Sequence, residues 1–210
     1  MVMPRVPPQA WVIRTSAGLI LIDALNNADE ARTLIEGGLR RLGLDPKDIR
    51  YVLVTHAHGD HYGGLDYLSS RYGFGVVMST EDWKQAEGKL EFDSPQWGRP
   101  PKFRPGKDLK LDDGGTLVLG DTTVRINITP GHTHGTITPT FDVADGGRRH
   151  RALLWGGTAF NFGKDIPRLD GYVAGAERMA ALARREGIDV MISNHPSYDD
   201  SLRKFAQKRA

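Results

Sequence analysis

The sequence contains no cysteine. That excludes disulfides, thiolate nucleophiles and thiolate metal sites, so any metal bound here must use nitrogen and oxygen ligands. No apolar run approaches the roughly 20 residues a membrane span requires. Neither sign of charge dominates: 28 Lys and Arg stand against 26 Asp and Glu, a formal net charge of +2. No basic stripe interleaved with aromatics marks a nucleic-acid groove. Neither nucleic acid nor a membrane is therefore expected as a partner, and nothing in the pattern fixes an oligomeric state. The opening MVMPRVPPQAWV has neither the charged start nor the apolar middle of a signal peptide. Localisation stays open, periplasmic or secreted if a leader was removed. A G-x-S-x-G nucleophile elbow is also missing.

What is present is enough for a substantial core. With 210 residues, one domain over 1–210 is expected. AWVIRTSAGLILIDAL reads as two strands around a Ser16-Ala17-Gly18 turn, the second ending at Asp23. Apolar residues then recur at three- and four-residue steps from Asn27 to Leu42, the mark of an amphipathic helix capped by Asn26 or Asn27 and weakened by Gly37 and Gly38. Asp45-Pro46 suits a short helical turn, and YVLVT a strand buried on both faces. GGLDYLSSRYG and TEDWKQAEG read as helices on either side of a GVVMS strand. Residues 88–107 break the pattern with prolines, glycines, Phe92, Trp97 and Phe103, and read as a long surface loop. Two hairpins follow, turning at Gly120-Asp121 and near Gly146-Gly147. A helix over about 169–185, the strand IDVMIS and a basic C-terminal helix from Tyr198 complete the chain. Strands followed by helices in each half imply two sheets packed between helical layers.

The chemistry concentrates in THAHGDHYGG, residues 55–64. On a helix, residues two apart lie about 200° apart around the axis, so His56 and His58 could not share an ion. In an extended segment they point the same way, with Asp60 on the same side. His61 has the opposite parity, so the chain must turn at Gly59-Asp60 to bring it in, which Gly59 permits. A His56/His58 pair for one metal and an Asp60/His61 pair for a neighbour is the simplest arrangement. Zinc takes three or four protein ligands, so further ones must come from elsewhere. His132 in PGHTHGT and His195 in SNHP each follow a predicted strand, where functional loops tend to lie. His134 and His150 read by default as surface residues.

At these residues the sequence resembles the metallo-β-lactamase superfamily, whose mark is H-x-H-x-D-H after a strand. LILIDAL, PGHTHGT and ISNHP resemble its early aspartate-ended strand, its G-H-T-x-G loop and its last histidine. The resemblance implies an α/β fold, the four-layer αββα sandwich, with two Zn2+ at one edge of the sheets. His56, His58 and His132 would bind one, and Asp60, His61 and His195 the other. Nitrogen and oxygen ligands would also accept iron or manganese. Asp23, His134 and Thr158 are expected around the ligands, not on the metals, Asp23 helping to orient the metal loop; its plain alternative is a strand-end aspartate capping the Asn26 region. Many hydrolases of the family place a bridging aspartate where this chain reads LWGGTAF, and Gly156, Gly157 and Thr158 offer no carboxylate. In this the chain is most similar to the cysteine-less third subclass of metallo-β-lactamases.

The implied function is a di-zinc hydrolase. Two close zinc ions lower the pKa of a shared water toward 7, and the resulting bridging hydroxide attacks the carbonyl of a small-molecule substrate, with Asp60 as the catalytic residue. A β-lactam ring is the expected substrate, with antibiotic resistance the expected context. A lactone, thioester or other ester is the alternative within the same chemistry, and a non-catalytic metal-binding domain the alternative outside it.

Overall fold

The computed structural model describes residues 8–160 and 162–208. Residues 1–7, on which much of the leader reading rests, and 209–210, the end of the basic C-terminal stretch, lie outside the described residues. Among the described residues, ten strands form two five-stranded sheets. The first runs β1 (Trp11–Thr15), β2 (Gly18–Ile22), β3 (Ile49–Leu53), β4 (Gly75–Met78) and β5 (Leu109–Lys110). The second has the order β10 (Val190–Ser193), β9 (Arg148–Trp155), β8 (Thr140–Asp145), β7 (Thr122–Arg125) and β6 (Thr116–Leu119). The pairs from β2 to β5 are parallel, whereas β6 to β9 is an antiparallel meander with β10 parallel to β9.

Period-two alternation along the strands builds the layers. Ile20, Ile22, Leu53 and Val77 face Leu117, Val124, Phe141, Ala152 and Leu154 across the space between the sheets. The alternate residues Leu19, Leu21, Val52 and Val76 point outward against Ile35, Leu39, Leu68 and Trp83 from helices. On the far side Leu153 and Trp155 pack against Met179 and Leu182 of the long helix Ile166–Glu186. Three separate cores define four layers, helix, sheet, sheet and helix, as the sequence resemblance implies. Each fully buried aliphatic side chain contributes roughly 1.5–3 kcal/mol of transfer free energy.

The helical run over 28–41 is capped by Asn27, whose side chain accepts from Glu30 N. It widens into a π-helical stretch, Ala31–Glu36, and continues through Gly37 and Gly38 to Arg41, so the glycines do not end it. Gly146 and Gly147, with φ of 56° and 83°, make the two-residue turn that joins β8 to β9. Toward the C-terminus, Asp200 at φ 54° breaks the expected single helix into Pro196–Asp199 and Ser201–Lys208. Among the described residues no helix is long and apolar enough to cross a membrane.

Residues 88–107 form no helix or strand, yet they are anchored. Trp97 Nε1 donates to Asn26 Oδ1 at 3.0 Å, Gly98 N donates to Asn26 O at 2.8 Å, and Phe103 packs edge-on against Trp83.

Candidate metal centre

The site assembles where the strands of both sheets end. After β3 the chain does not stay extended as the spacing suggests: it bends over residues 55–58, where His58 N donates to His56 O at 3.0 Å, and enters the short helix Gly59–Tyr62 from His58 (φ −106°, ψ 147°). His56 and His58 both reach His132 from this bend, and the helical turn returns His61 to them, its ring 4.0 Å from that of His56. Gly59 is needed for a reason that spacing does not reveal. Its backbone is not in the left-handed region. A Cβ there would meet the Trp97 ring at 2.4 Å.

His132 arrives from the loop after Ile128, and His195 from the end of β10. His132 Nε2 lies 3.0 Å from His56 Nε2 and 3.1 Å from His58 Nδ1. His61 Nε2 lies 3.2 Å from His195 Nε2, and Asp60 Oδ2 is 3.6 Å from the former and 3.7 Å from the latter. All six side chains singled out from the sequence thus converge as two trios, and His56 also neighbours Asp60 and His61.

The ring protons show why these groups suit cations. His132 Nδ1 is 2.7 Å from Ala159 O, an acceptor only, so Nδ1 carries the proton and Nε2 presents a lone pair. His61 Nδ1 likewise donates to Asp23 Oδ2 at 2.8 Å. Thr55 Oγ1 donates to Asp23 Oδ2 at 2.9 Å and accepts from Asn194 Nδ2 at 3.0 Å, which leaves it to accept from His56 Nδ1 at 3.1 Å. The Nε2 atoms of His56 and His132 therefore face each other as lone pairs, an arrangement a positive ion relieves. Burial, reinforced by the neighbouring imidazoles, holds His56 well below the usual histidine range and takes His132 to about 3 and His195 to about 4. For His61 burial acts the same way, but the Asp60 and Asp23 charges outweigh it and raise its pKa. Burial pushes the Asp60 carboxyl up, and His61 and His195 more than reverse that, so its pKa is lowered.

Asp23 sits at φ 63° just after β2, a left-handed conformation that aspartate tolerates better than most residues. It does not cap the following helix. Its carboxylate takes Thr55 N at 2.7 Å, Thr55 Oγ1 and His61 Nδ1 instead. His134 is exposed on the PGHTHGT loop, and among the described residues no hydrogen bond ties it to the six. Thr158 Oγ1 is buried without a hydrogen-bond partner, while its neighbours serve through backbone: Ala159 O holds His132, and Gly157 lies where a Cβ would stand 2.5 Å from His132 Cβ. His150 pairs with Asp189 at 2.7 Å.

Several contributors carry no signal in the sequence. Asn194 Nδ2 joins Thr55 Oγ1 to Gly156 O, at 3.0 and 2.8 Å. Asp82 lies in the first turn of helix Thr80–Glu87, where an acidic residue is ordinary. There its buried carboxylate accepts from Ala57 N at 2.9 Å, Thr133 Oγ1 at 3.0 Å and Gly135 N at 3.2 Å, lacing the two histidine loops together. Burial raises its pKa to about 7 against the pull of those bonds. Glu91 and Arg168, an ion pair 77 residues apart in the chain, adjoin His58 and His132.

Comparison with known proteins places this geometry in context. A family model described as the metallo-beta-lactamase superfamily matches residues 3–145. The hydroxyacylglutathione hydrolase of Gloeobacter violaceus is 34% identical over 113 residues, which is 53% of this chain and 36% of that protein. The chain thus spans about a third of that relative's length. Among solved structures, BJP-1, a subclass B3 metallo-beta-lactamase of Bradyrhizobium japonicum, superposes with a TM-score of 0.71 at 30% identity, covering 90% of this chain and 72% of that one. The FEZ-1 metallo-beta-lactamase of Legionella gormanii shares the fold at a TM-score of 0.81 and 23% identity, over 95% of this chain and 78% of that one.

Proposed function

The chain belongs to the metallo-beta-lactamase superfamily, and from that membership and the side chains at its centre we propose that it is a metal-dependent hydrolase that opens β-lactam rings. The observation that carries the reading is the convergence of six side chains as two trios of lone-pair donors, His56/His58/His132 and Asp60/His61/His195. Each trio would hold one divalent cation, zinc in the first instance. When bound, such ions supply a water-derived nucleophile at neutral pH and Lewis-acid stabilisation of developing negative charge.

The chain's own residues prepare the site. Asp23, Thr55 and Ala159 O fix the tautomers of His61, His56 and His132, so that each ring presents Nε2 unprotonated. Asp60 keeps about a fifth of its side chain exposed, and with its pKa lowered it is ionised at neutral pH, so Oδ2 could face a cation beside His61 and His195 while the other carboxylate oxygen accepts a hydrogen bond from the attacking water. Phe92, edge-on to His58 at 5.2 Å between ring centroids, provides an apolar wall for the substrate. Two features favour a β-lactam over other carbonyl compounds. One is the carboxylate-free Gly156-Gly157 segment beside His132; the other is the likeness to subclass B3 enzymes. The hydroxyacylglutathione hydrolase relative supports a thioester as the second reading.

Turnover of a chromogenic cephalosporin and of an S-acylglutathione, each with and without added zinc, tests both. Zinc-dependent cephalosporin hydrolysis, lost by about 100-fold or more in His132→Ala, is expected. Thioester hydrolysis alone would move the assignment to the second reading. Hydrolysis of neither would remove the enzyme reading for these substrates.

A further inference from the structure

His58 differs from the other rings of its trio. His56 and His132 each commit Nδ1 to an acceptor within 3.1 Å, whereas the outward nitrogen of His58, Nε2, is buried with no hydrogen-bond partner. What it faces is a carboxylate, Glu91 Oε2, at 3.5 Å. Glu91 is itself gripped from behind. Arg168 Nη1 meets Glu91 Oε1, and Nη2 meets Oε2 at 2.9 Å, a two-pronged pair with the arginine side chain only 9% exposed. The same guanidinium donates Nε to Gly131 O at 2.6 Å and Nη2 to His132 O, and rests 4.1 Å from the centroid of the Phe162 ring. Arg168 stands at the start of helix Ile166–Glu186, where Asp165 accepts from its backbone nitrogen.

We infer that Glu91 and Arg168 are a positioning pair that sets the tautomer of His58 and its separation from His132, and thereby the affinity of the His56/His58/His132 position for its cation. This deepens the metal-centre reading and rests on it. A neutral imidazole has one N–H. A fixed carboxylate on the Nε2 side selects the Nε2–H form, which leaves the Nδ1 lone pair directed at His132 Nε2. Arg168 holds that carboxylate in place by meeting both of its oxygens. Arg168 meanwhile holds the backbone of His132 itself. Two ligands 74 residues apart are therefore braced through one ion pair, with the 88–107 loop supplying the acid.

The test is cation affinity, read without turnover. Zinc is titrated against a chromophoric chelator, and cobalt(II) by its visible absorption, in the full chain and in Glu91→Gln, Glu91→Asp and Asp23→Asn. Unfolding of each chelator-treated protein is the stability control. Glu91→Gln is expected to weaken one of two cations by about 10–100-fold and to alter the cobalt spectrum of that position alone. Asp23→Asn should act chiefly on the other, through His61 Nδ1, with a smaller effect on the first by way of Thr55 and His56. Glu91→Asp keeps the charge but shortens the reach, so it should restore part of the loss; it also serves if the glutamine variant does not fold. Unchanged affinity in Glu91→Gln overturns the inference, as does an equal fall at both positions that tracks a lower metal-free unfolding midpoint. If the unsubstituted chain takes up no cation, the metal-centre reading itself falls, and this inference with it.

Discussion

A single proton decides what each histidine here can do. His61 Nδ1 is held by Asp23 Oδ2 at 2.8 Å, with both side chains fully buried. Asparagine at position 23 would offer only a weaker, neutral acceptor and an NH2 that competes for the same space. Asp23→Asn is thus expected to lower affinity for the cation proposed at the Asp60/His61/His195 position by about 10–100-fold, measured by chelator competition. At this scale legibility followed chain distance. His56, His58, Asp60 and His61 were readable because they lie within six residues of one another, where backbone parity restricts the directions of side chains. Asn194, Asp82, Glu91 and Arg168 were not, because each is an ordinary polar residue until a partner far along the chain is placed beside it. Asp82 resembled any acid opening a helix, yet its carboxylate leaves that helix for Ala57, Thr133 and Gly135.

At the scale of elements, strands and hairpins were legible from alternation and turn residues, because a strand with two buried faces tolerates few polar side chains. The loop over 88–107 was legible as irregular, but its function as an anchor was not, since that depends on a contact with a segment of another region. Trp97 lies against Gly59 and bonds Asn26, so this loop and the histidine-bearing loop over 55–64 fit as one surface. Gly59→Ala drives a Cβ into the indole at 2.4 Å. It is expected to cost about 1–3 kcal/mol by overpacking, seen in denaturant unfolding, and to shift the Trp97 environment. In a Trp97→Ala background the same substitution should cost much less. Equal costs in both backgrounds would show that Gly59 is required by its backbone instead. Asp23 and Leu25, both at φ 63°, are a further feature that alternation could not reveal. Leu25 adopts this conformation at an energetic cost, and its side chain sits in the outer core of the first sheet.

For the whole molecule, burying so many imidazoles makes the metal-free fold sensitive to acid. An unfolded histidine takes a proton near 6.5, whereas folded His195 does so only near 4, His132 near 3, and His56 well below its usual range. Between 6.5 and about 4 the unfolded chain therefore binds more protons, and stability falls as pH falls. Asp82, raised to about 7, works in the opposite direction from about 7 down to the ordinary aspartate range. Raised His61 adds stability as pH descends to 6.5 and none below it. The three lowered imidazoles outweigh Asp82, so chelator-treated protein should lose on the order of 1–3 kcal/mol per pH unit across that window. Urea titrations at stepped pH would measure it, and a flat profile would contradict the burial described for these rings. The trios also draw on both sheets, His56 to His61 following β3 of the first, His195 following β10 of the second, and His132 coming from the loop that precedes β8. An ion seated among them would rivet the two halves of the sandwich, so its supply would govern the molecule's lifetime as well as its work. A copy starved of metal would be idle and, for the same reason, the first to be cleared by proteases.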